Sequence, residues 1–265
     1  MVSQQGVITL ASINLINPSY VYSPARIYQD TNYIYWTGKV GAGAGGSLNK
    51  VLKSGGNPIS IISGLSNPSG LSDPLNIVVD SSNIYWIDLG TGNGSSGTGT
   101  INQIPLSIQN WNITTLANSQ KAPRGIAVDT SYVYWADYDD YIGTLNRVPI
   151  NGGTTNILQS GLNGPNEVAV DNNYVYWVED GGDNPTGSVK KINKSNGSVT
   201  VLASDSCQPT HIRIDSSNVY WSDGEYGPGC GVTRYRRAVV QLLRLLYPLA
   251  TFLVLRQMEL MFITL

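Results

Sequence analysis

The sequence has 265 residues, a net charge of −2 and 13% charged side chains, so it lacks the basic face by which nucleic-acid binders are recognised. At that length it is one large all-β domain or two small ones. Low charge with 29 glycines and 16 tyrosines suits a β-rich, loop-heavy protein, a composition common outside the cytosol.

At the N-terminus, Met1-Val-Ser-Gln-Gln carries no basic flank, and the next apolar run is broken by Asn14 and Asn17. No signal peptide is read there. The protein is therefore cytoplasmic, or its true start lies upstream of Met1. Residues 6–12, Gly-Val-Ile-Thr-Leu-Ala-Ser, match two later segments, Ile113-Thr-Thr-Leu-Ala-Asn118 and Val199-Thr-Val-Leu-Ala-Ser204.

Further on, one motif recurs five times: Asp30-Thr-Asn-Tyr-Ile-Tyr-Trp36, Asp80-Ser-Ser-Asn-Ile-Tyr-Trp86, Asp129-Thr-Ser-Tyr-Val-Tyr-Trp135, Asp171-Asn-Asn-Tyr-Val-Tyr-Trp177 and Asp215-Ser-Ser-Asn-Val-Tyr-Trp221. A proline (Pro24, Pro74, Pro123, Pro165, Pro209) precedes each Asp by six positions. Asp-to-Asp spacings of 50, 49, 42 and 44 residues, with no linker, mark an array of one supersecondary unit in a single domain.

The unit opening at Pro123 reads as four strands. Arg124–Asp129 is a short apolar strand. Asp129-Thr-Ser is a tight turn, because Asp and Ser side chains bond their own backbone. Tyr132–Asp137 returns as a strand of β-branched and aromatic residues. A polar loop, Tyr138–Ile142, leads to Gly143–Pro149; Asn151-Gly-Gly153 is a hairpin turn, and Thr155–Gln159 completes the unit. Four antiparallel strands in about 40–45 residues is the pattern of a β-propeller blade, stacked on its neighbours. Residues 6–12 then read as the fourth strand of a last blade whose other strands come from the C-terminus, a closure that removes exposed edges. The Tyr-Trp pairs (Tyr35/Trp36, Tyr85/Trp86, Tyr134/Trp135, Tyr176/Trp177, Tyr220/Trp221) supply packing between blades rather than ligand stacking.

Tyr-Trp-x-Asp at 85–88, 134–137 and 220–223, and Tyr-Trp-Val-Glu at 176–179, resemble the YWTD repeats of low-density-lipoprotein-receptor (class B-like) propellers. They are more similar still to bacterial TolB-like, YWTD-type six-bladed proteins, most of them uncharacterised. The resemblance covers residues 6 to about 231 and implies an all-β, six-bladed propeller; it implies little about activity.

The first two units are longer through glycine-rich loops, Gly41–Gly46 and Gly90–Gly99. Neither is a phosphate loop, since no Gly-Lys-Ser/Thr follows and no helical pattern begins. The propeller is placed at 1–231. Residues 232–265 leave the pattern: Ala238–Leu255 reads as helical and apolar, but Arg244, Pro248 and Arg256 argue against a membrane span. A frameshifted sixth blade is the preferred reading of this tail. One base out of frame, Gln257–Thr264 can encode Asp-Gly-Val-Asn-Val-Tyr-Tyr, and Arg234–Leu242 can encode Val-Pro-x-Ser-Gly-Gly-Thr-Thr, against Val148–Thr155 of the third unit. The hidden valine falls 13 residues after Trp221, as Val148 falls 13 after Trp135. Some of these codons are forced and others only permitted. Without the sixth blade the ring stays open at raw edges.

Loops that join strands two and three, and strand four to the next unit, are expected on one face. Carboxylates gather there: Asp88, Asp137, Asp139, Asp140, Glu179, Asp180, Asp183, Asp223 and Glu225. Calcium, which takes six to eight oxygen ligands, is the alternative reading for Asp137, Asp139 and Asp140, though no EF-hand or nonapeptide spacing is present. The acids two after each Trp recur with the repeat and read as structural. Two residues after each Pro stand Arg26, Asn76, Gly125 (beside Arg124), Glu167 and His211. They are expected to circle the mouth of a central channel, as a binding ring or simply as solvated polar groups. His211, the single histidine, is the candidate base beside Glu167. Propeller lactonases of the gluconolactonase type and streptogramin lyases carry metal-binding residues on such a ring; the carboxylate–Asn–Asp set of the former is absent here. Cys207 and Cys230 are a candidate disulfide, which implies an oxidising compartment, with two free thiols as the alternative.

The expected protein is a non-catalytic binding or interaction propeller, extracellular or periplasmic, taking a protein or small-molecule ligand on its loop face. It has no nucleic-acid partner, no cofactor and no membrane span, and is monomeric if the ring closes. The runner-up is a divalent-metal-dependent hydrolase or lyase using Glu167 and His211. A third possibility is the product of a damaged gene with no function.

Overall fold

The computed structural model describes residues 22–40, 46–63, 74–90, 97–107, 113–139, 142–182, 186–222, 232–236 and 242–245. Among these residues there is no helix, and the strands assemble into four-stranded sheets. The first sheet takes β1 (Tyr22–Gln29), β2 (Tyr33–Val40), β3 (Gly46–Leu52) and β4 (Ile59–Ser63) in sequence order. The second takes β5 (Pro74–Val79), β6 (Asn83–Asp88), β7 (Gly99–Pro105) and β8 (Thr114–Gln120). The third takes β9 (Pro123–Val128), β10 (Tyr132–Asp139), β11 (Ile142–Pro149) and β12 (Asn156–Asn163). The fourth takes β13 (Pro165–Val170), β14 (Tyr174–Glu179), β15 (Thr186–Asn193) and β16 (Val199–Cys207). The fifth takes β17 (His211–Ile214), β18 (Asn218–Ser222), β19 (Val232–Arg236) and β20 (Leu242–Leu245). The chain divides into two compact units, Met1–Val133 with Val148–Thr155 and Tyr134–Arg147 with Asn156–Leu265.

The strands begin where the repeat punctuates the chain. Proline opens β5, β9 and β13, the strand position where its missing N–H costs least. Immediately after it the ladder slips, between Pro24 and Arg26, Pro74 and Ile77, and Pro165 and Val168. Asn76 and Glu167 sit inside such bulges, which re-aim side chains out of the regular pleat. β12 runs on to Asn163, past the stop expected at Gln159. Gly161 at φ +70° and two register shifts against β11 absorb the irregularity that the Ser-Gly pair announces.

Burial follows the strand order. In the first unit Tyr35, Leu48, Ile61, Ile77, Ile84 and Trp86 share one core; in the second, Tyr176, Val178, Val189, Ile212, Val219 and Trp221 share another. Trp86, Trp135, Trp177 and Trp221 are all buried, as packing aromatics should be. The outermost strands carry exposed Ile59, Ile157, Val199 and Val201.

The apolar tail departs from its helical expectation. Leu242–Leu245 pairs antiparallel with β19, so the fifth sheet takes its third and fourth strands from beyond residue 231. An edge of unpaired N–H and C=O groups on β19 recruits whatever extended backbone follows, and that outweighs helix propensity there. The expected closing strand at 6–12, and residues 246–265, lie outside the described residues.

Candidate functional site

Each repeat is locked at one end by its aspartate. Asp30, Asp80, Asp129, Asp171 and Asp215 each accept, on Oδ1, the backbone N–H groups two and three residues on, at 2.6–2.8 Å. The other oxygen of Asp30, Asp80, Asp171 and Asp215 accepts a hydrogen bond from the hydroxyl of the first residue of the Tyr-Trp pair: Tyr35 at 2.7, Tyr85 at 3.0, Tyr176 at 2.9 and Tyr220 at 2.8 Å. Burial pushes the Asp30 carboxyl up, but the Tyr33 N–H, the Tyr35 hydroxyl, the Asn32 N–H and the Lys53 charge outweigh it and hold the group below its ordinary 3.8. Asp215 is likewise held down, its burial outweighed by bonds from Ser217, Tyr220 and Asn218. Burial and the facing aspartate push the hydroxyls of Tyr35 and Tyr85 upward.

A second recurrent contact joins the second, third and fourth sheets each to the proline of the next. A Cβ placed on Gly99 would meet Pro123 Cδ at 2.6 Å and the Gln120 carbonyl at 2.9 Å. One on Gly143 would collide with the Asp137 carbonyl and Pro165, and one on Gly187 with the Glu179 carbonyl and Pro209. Only glycine allows this approach. The recurrent proline was visible in sequence; its glycine partner was not.

Of the residues two after each proline, Asn76 and Glu167 tie one sheet to the next. In the first unit, Asn76 donates from Nδ2 to the Arg124 carbonyl at 3.4 Å and accepts the Ile77 N–H at 3.2 Å. Arg26 donates its backbone N–H to Thr37 Oγ1 at 3.2 Å, and its side chain is exposed. In the second unit, Glu167 is buried on β13 and reaches β17: Oε2 accepts the Ile212 N–H at 2.8 Å, and Oε1 lies 2.7 Å from Arg213 Nη1. Burial alone would raise the Glu167 carboxyl, but the Arg213 and His211 charges and these hydrogen bonds hold it below its ordinary value. His211 Nδ1 lies 2.9 Å from Thr210 Oγ1 and 3.3 Å from Ser222 Oγ, and those hydroxyls are 3.2 Å apart. The His211 charge acts on Glu167, but the carboxylate's short contacts go to Arg213 and Ile212, neither foreseen in sequence.

The loop-face carboxylates are also engaged. Glu179 accepts Trp177 Nε1–H at 2.8 Å, both of its oxygens lie 2.9 Å from Lys190 Nζ, and it takes the Asn163 N–H at 3.2 Å. Buried Asp88 accepts the Gly90 N–H at 3.0 Å, and Asp180 the Gly182 N–H at 2.9 Å. Asp137 and Asp139 are half-buried; Asp140, Asp183, Asp223 and Glu225 lie outside the described residues. Among the described residues no group of three or more His, Cys, Asp or Glu is arranged to hold a metal ion. Cys207, at the end of β16, is disulfide-bonded; Cys230 lies outside the described residues. No helix among the described residues is long and apolar enough to cross a membrane.

Among the described residues, five four-stranded antiparallel sheets in sequence order have the make-up of β-propeller blades. The fold is that of the YWTD type: the chain is similar to one in the crystal structure of a nidogen/laminin complex, at a TM-score of 0.64 and 20% identity, over 85% of this chain and 80% of that one. No family model matches the sequence, and no curated protein matches it.

Proposed function

We propose that the protein is a non-catalytic binding propeller of six YWTD-like blades, acting outside the cytosol and taking a protein partner on its loop face. The observation that carries this reading is the engagement of the Glu167 carboxylate by Arg213 Nη1 and the Ile212 N–H. A general base must present a lone pair to substrate, and here both oxygens bridge β13 to β17. The likeness to a chain of a nidogen/laminin complex supports a protein as the kind of ligand, and the bonded Cys207 supports an oxidising compartment. In this reading residues 6–12 close a sixth blade carried out of frame by the tail.

The test is a binding and activity comparison on the full chain. Saturable binding of an extracellular protein, lost in Asp139→Lys with the unfolding midpoint unchanged, is expected, together with no chelator-sensitive hydrolysis of lactones. Lactone hydrolysis abolished both by chelation and by Glu167→Ala overturns the reading in favour of a metal-dependent hydrolase.

A further inference from the structure

The turn between β15 and β16 carries two consecutive Asn-x-Ser tripeptides, Asn193-Lys-Ser195 and Asn196-Gly-Ser198. Such tripeptides accept N-linked glycan when they lie in surface loops of exported proteins, and the geometry separates the two. Asn193 is half-buried at the end of β15. Its Oδ1 accepts three hydrogen bonds, from the Ser195 N–H at 2.9 Å, the Ser195 hydroxyl at 2.7 Å and the Asn196 N–H at 3.2 Å. The hydroxyl that a transferase must read is therefore already spent inside the turn. Asn196, Gly197 and Ser198 are all exposed. Asn196 Oδ1 accepts a single bond, the Ser198 N–H at 3.0 Å, and the Asn196 amide nitrogen and Ser198 hydroxyl make no hydrogen bond among the described residues. Gly197, at φ +72°, has open space where a Cβ would stand. All these bonds span three residues or fewer, so the turn can form locally without the rest of the fold.

We propose that Asn196 is an N-glycan acceptor and Asn193 is not. The donor is a lipid-linked oligosaccharyl pyrophosphate. Asn196 Nδ2 attacks the anomeric carbon and the sugar–phosphate C–O bond breaks. The lipid pyrophosphate leaves with the electron pair, and the proton lost from Nδ2 passes to a transferase carboxylate. This inference rests on export of the chain, the compartment part of the reading above. Asn93-Gly-Ser95 and Asn112-Ile-Thr114 also fit the tripeptide, with Asn93 and Asn112 outside the described residues, so the readout must be site-specific.

The full chain is expressed behind a cleavable export leader in glycosylating cells, released with peptide N-glycosidase in heavy-oxygen water, and mapped by mass spectrometry. Heavy-oxygen aspartate is expected at 196, lost in Ser198→Ala and retained in Ser195→Ala, which removes only the other acceptor. Secreted, disulfide-bonded protein unlabelled at 196, or labelled at 193, overturns the proposal. Supplying the leader makes the outcome independent of the native compartment, which fractionation of the source cells tests on its own.

Discussion

The aspartate of each repeat gathers two backbone N–H groups, one exposed and one part-buried, and Asp30, Asp80, Asp171 and Asp215 add a part-buried tyrosine hydroxyl. Replacing Tyr176 with Phe deletes the bond to Asp171 and leaves the ring in place, so it should cost about 1–3 kcal/mol by urea unfolding. Tyr174→Phe is the control: its ring keeps the contact with Lys191, 4.0 Å from the centroid, and its cost should stay within about 0.5 kcal/mol. Equal losses in both would refute the clasp. Asp30 and Asp215 are held below their ordinary 3.8 in the folded protein. Their contribution is complete above that value and disappears as pH falls through the lower folded value. Asp215→Asn should therefore flatten the acid limb of stability against pH, and an unchanged limb would contradict the assignment. The turn itself was legible, because Asp followed by Ser or Asn bonds its own backbone. The tyrosine bond was not, since strand alternation accounts for a buried Tyr without asking where its hydroxyl goes.

At the scale of the strands, proline and glycine act across sheets as a pair. If Gly99 and Pro123 interlock as their contact implies, Gly99→Ala should cost about 1–3 kcal/mol through overpacking. In combination with Pro123→Ala the loss should be smaller than the two single losses added, because the second change vacates the space the first invades. Strictly additive urea midpoints would sink the interlock. Strand existence was readable from Tyr-x-Tyr-Trp alternation and the Asn-Gly turn at 151–152. Two things were not. β12 outran its expected stop because Gly161 at φ +70° lets a bulge carry the ladder onward. Leu242–Leu245 became β20 because pairing with β19 is a non-local event that residue composition does not encode. The ties of Asn76 and Glu167 follow from bulges beside proline, and a sequence names the proline but not the direction in which a bulge turns its side chains.

For the molecule as a whole, repetition settles architecture and leaves chemistry to a few positions that vary within the frame. The resemblance read in Tyr-Trp-x-Asp and the likeness in fold agree on a YWTD-type propeller, while the residues that differ from blade to blade, Asn76, Glu167 and His211, fasten neighbouring strands. The frameshift reading of the tail predicts that the gene, resequenced from codon 222, contains a base insertion or deletion; an uninterrupted frame would end it. Most directly, the account stands on Glu167 holding β13 to β17 rather than doing chemistry, and urea unfolding of Glu167→Gln from neutral to acid pH measures that. Glu167 is held below its ordinary value, so the parent's advantage should be full above the ordinary carboxylate range and vanish as pH falls through the folded value. Because Arg213 is half-exposed and screened, the advantage at neutral pH should be about 1–3 kcal/mol. Identical midpoints at neutral pH, with a hydrolytic activity lost in the variant, would contradict it.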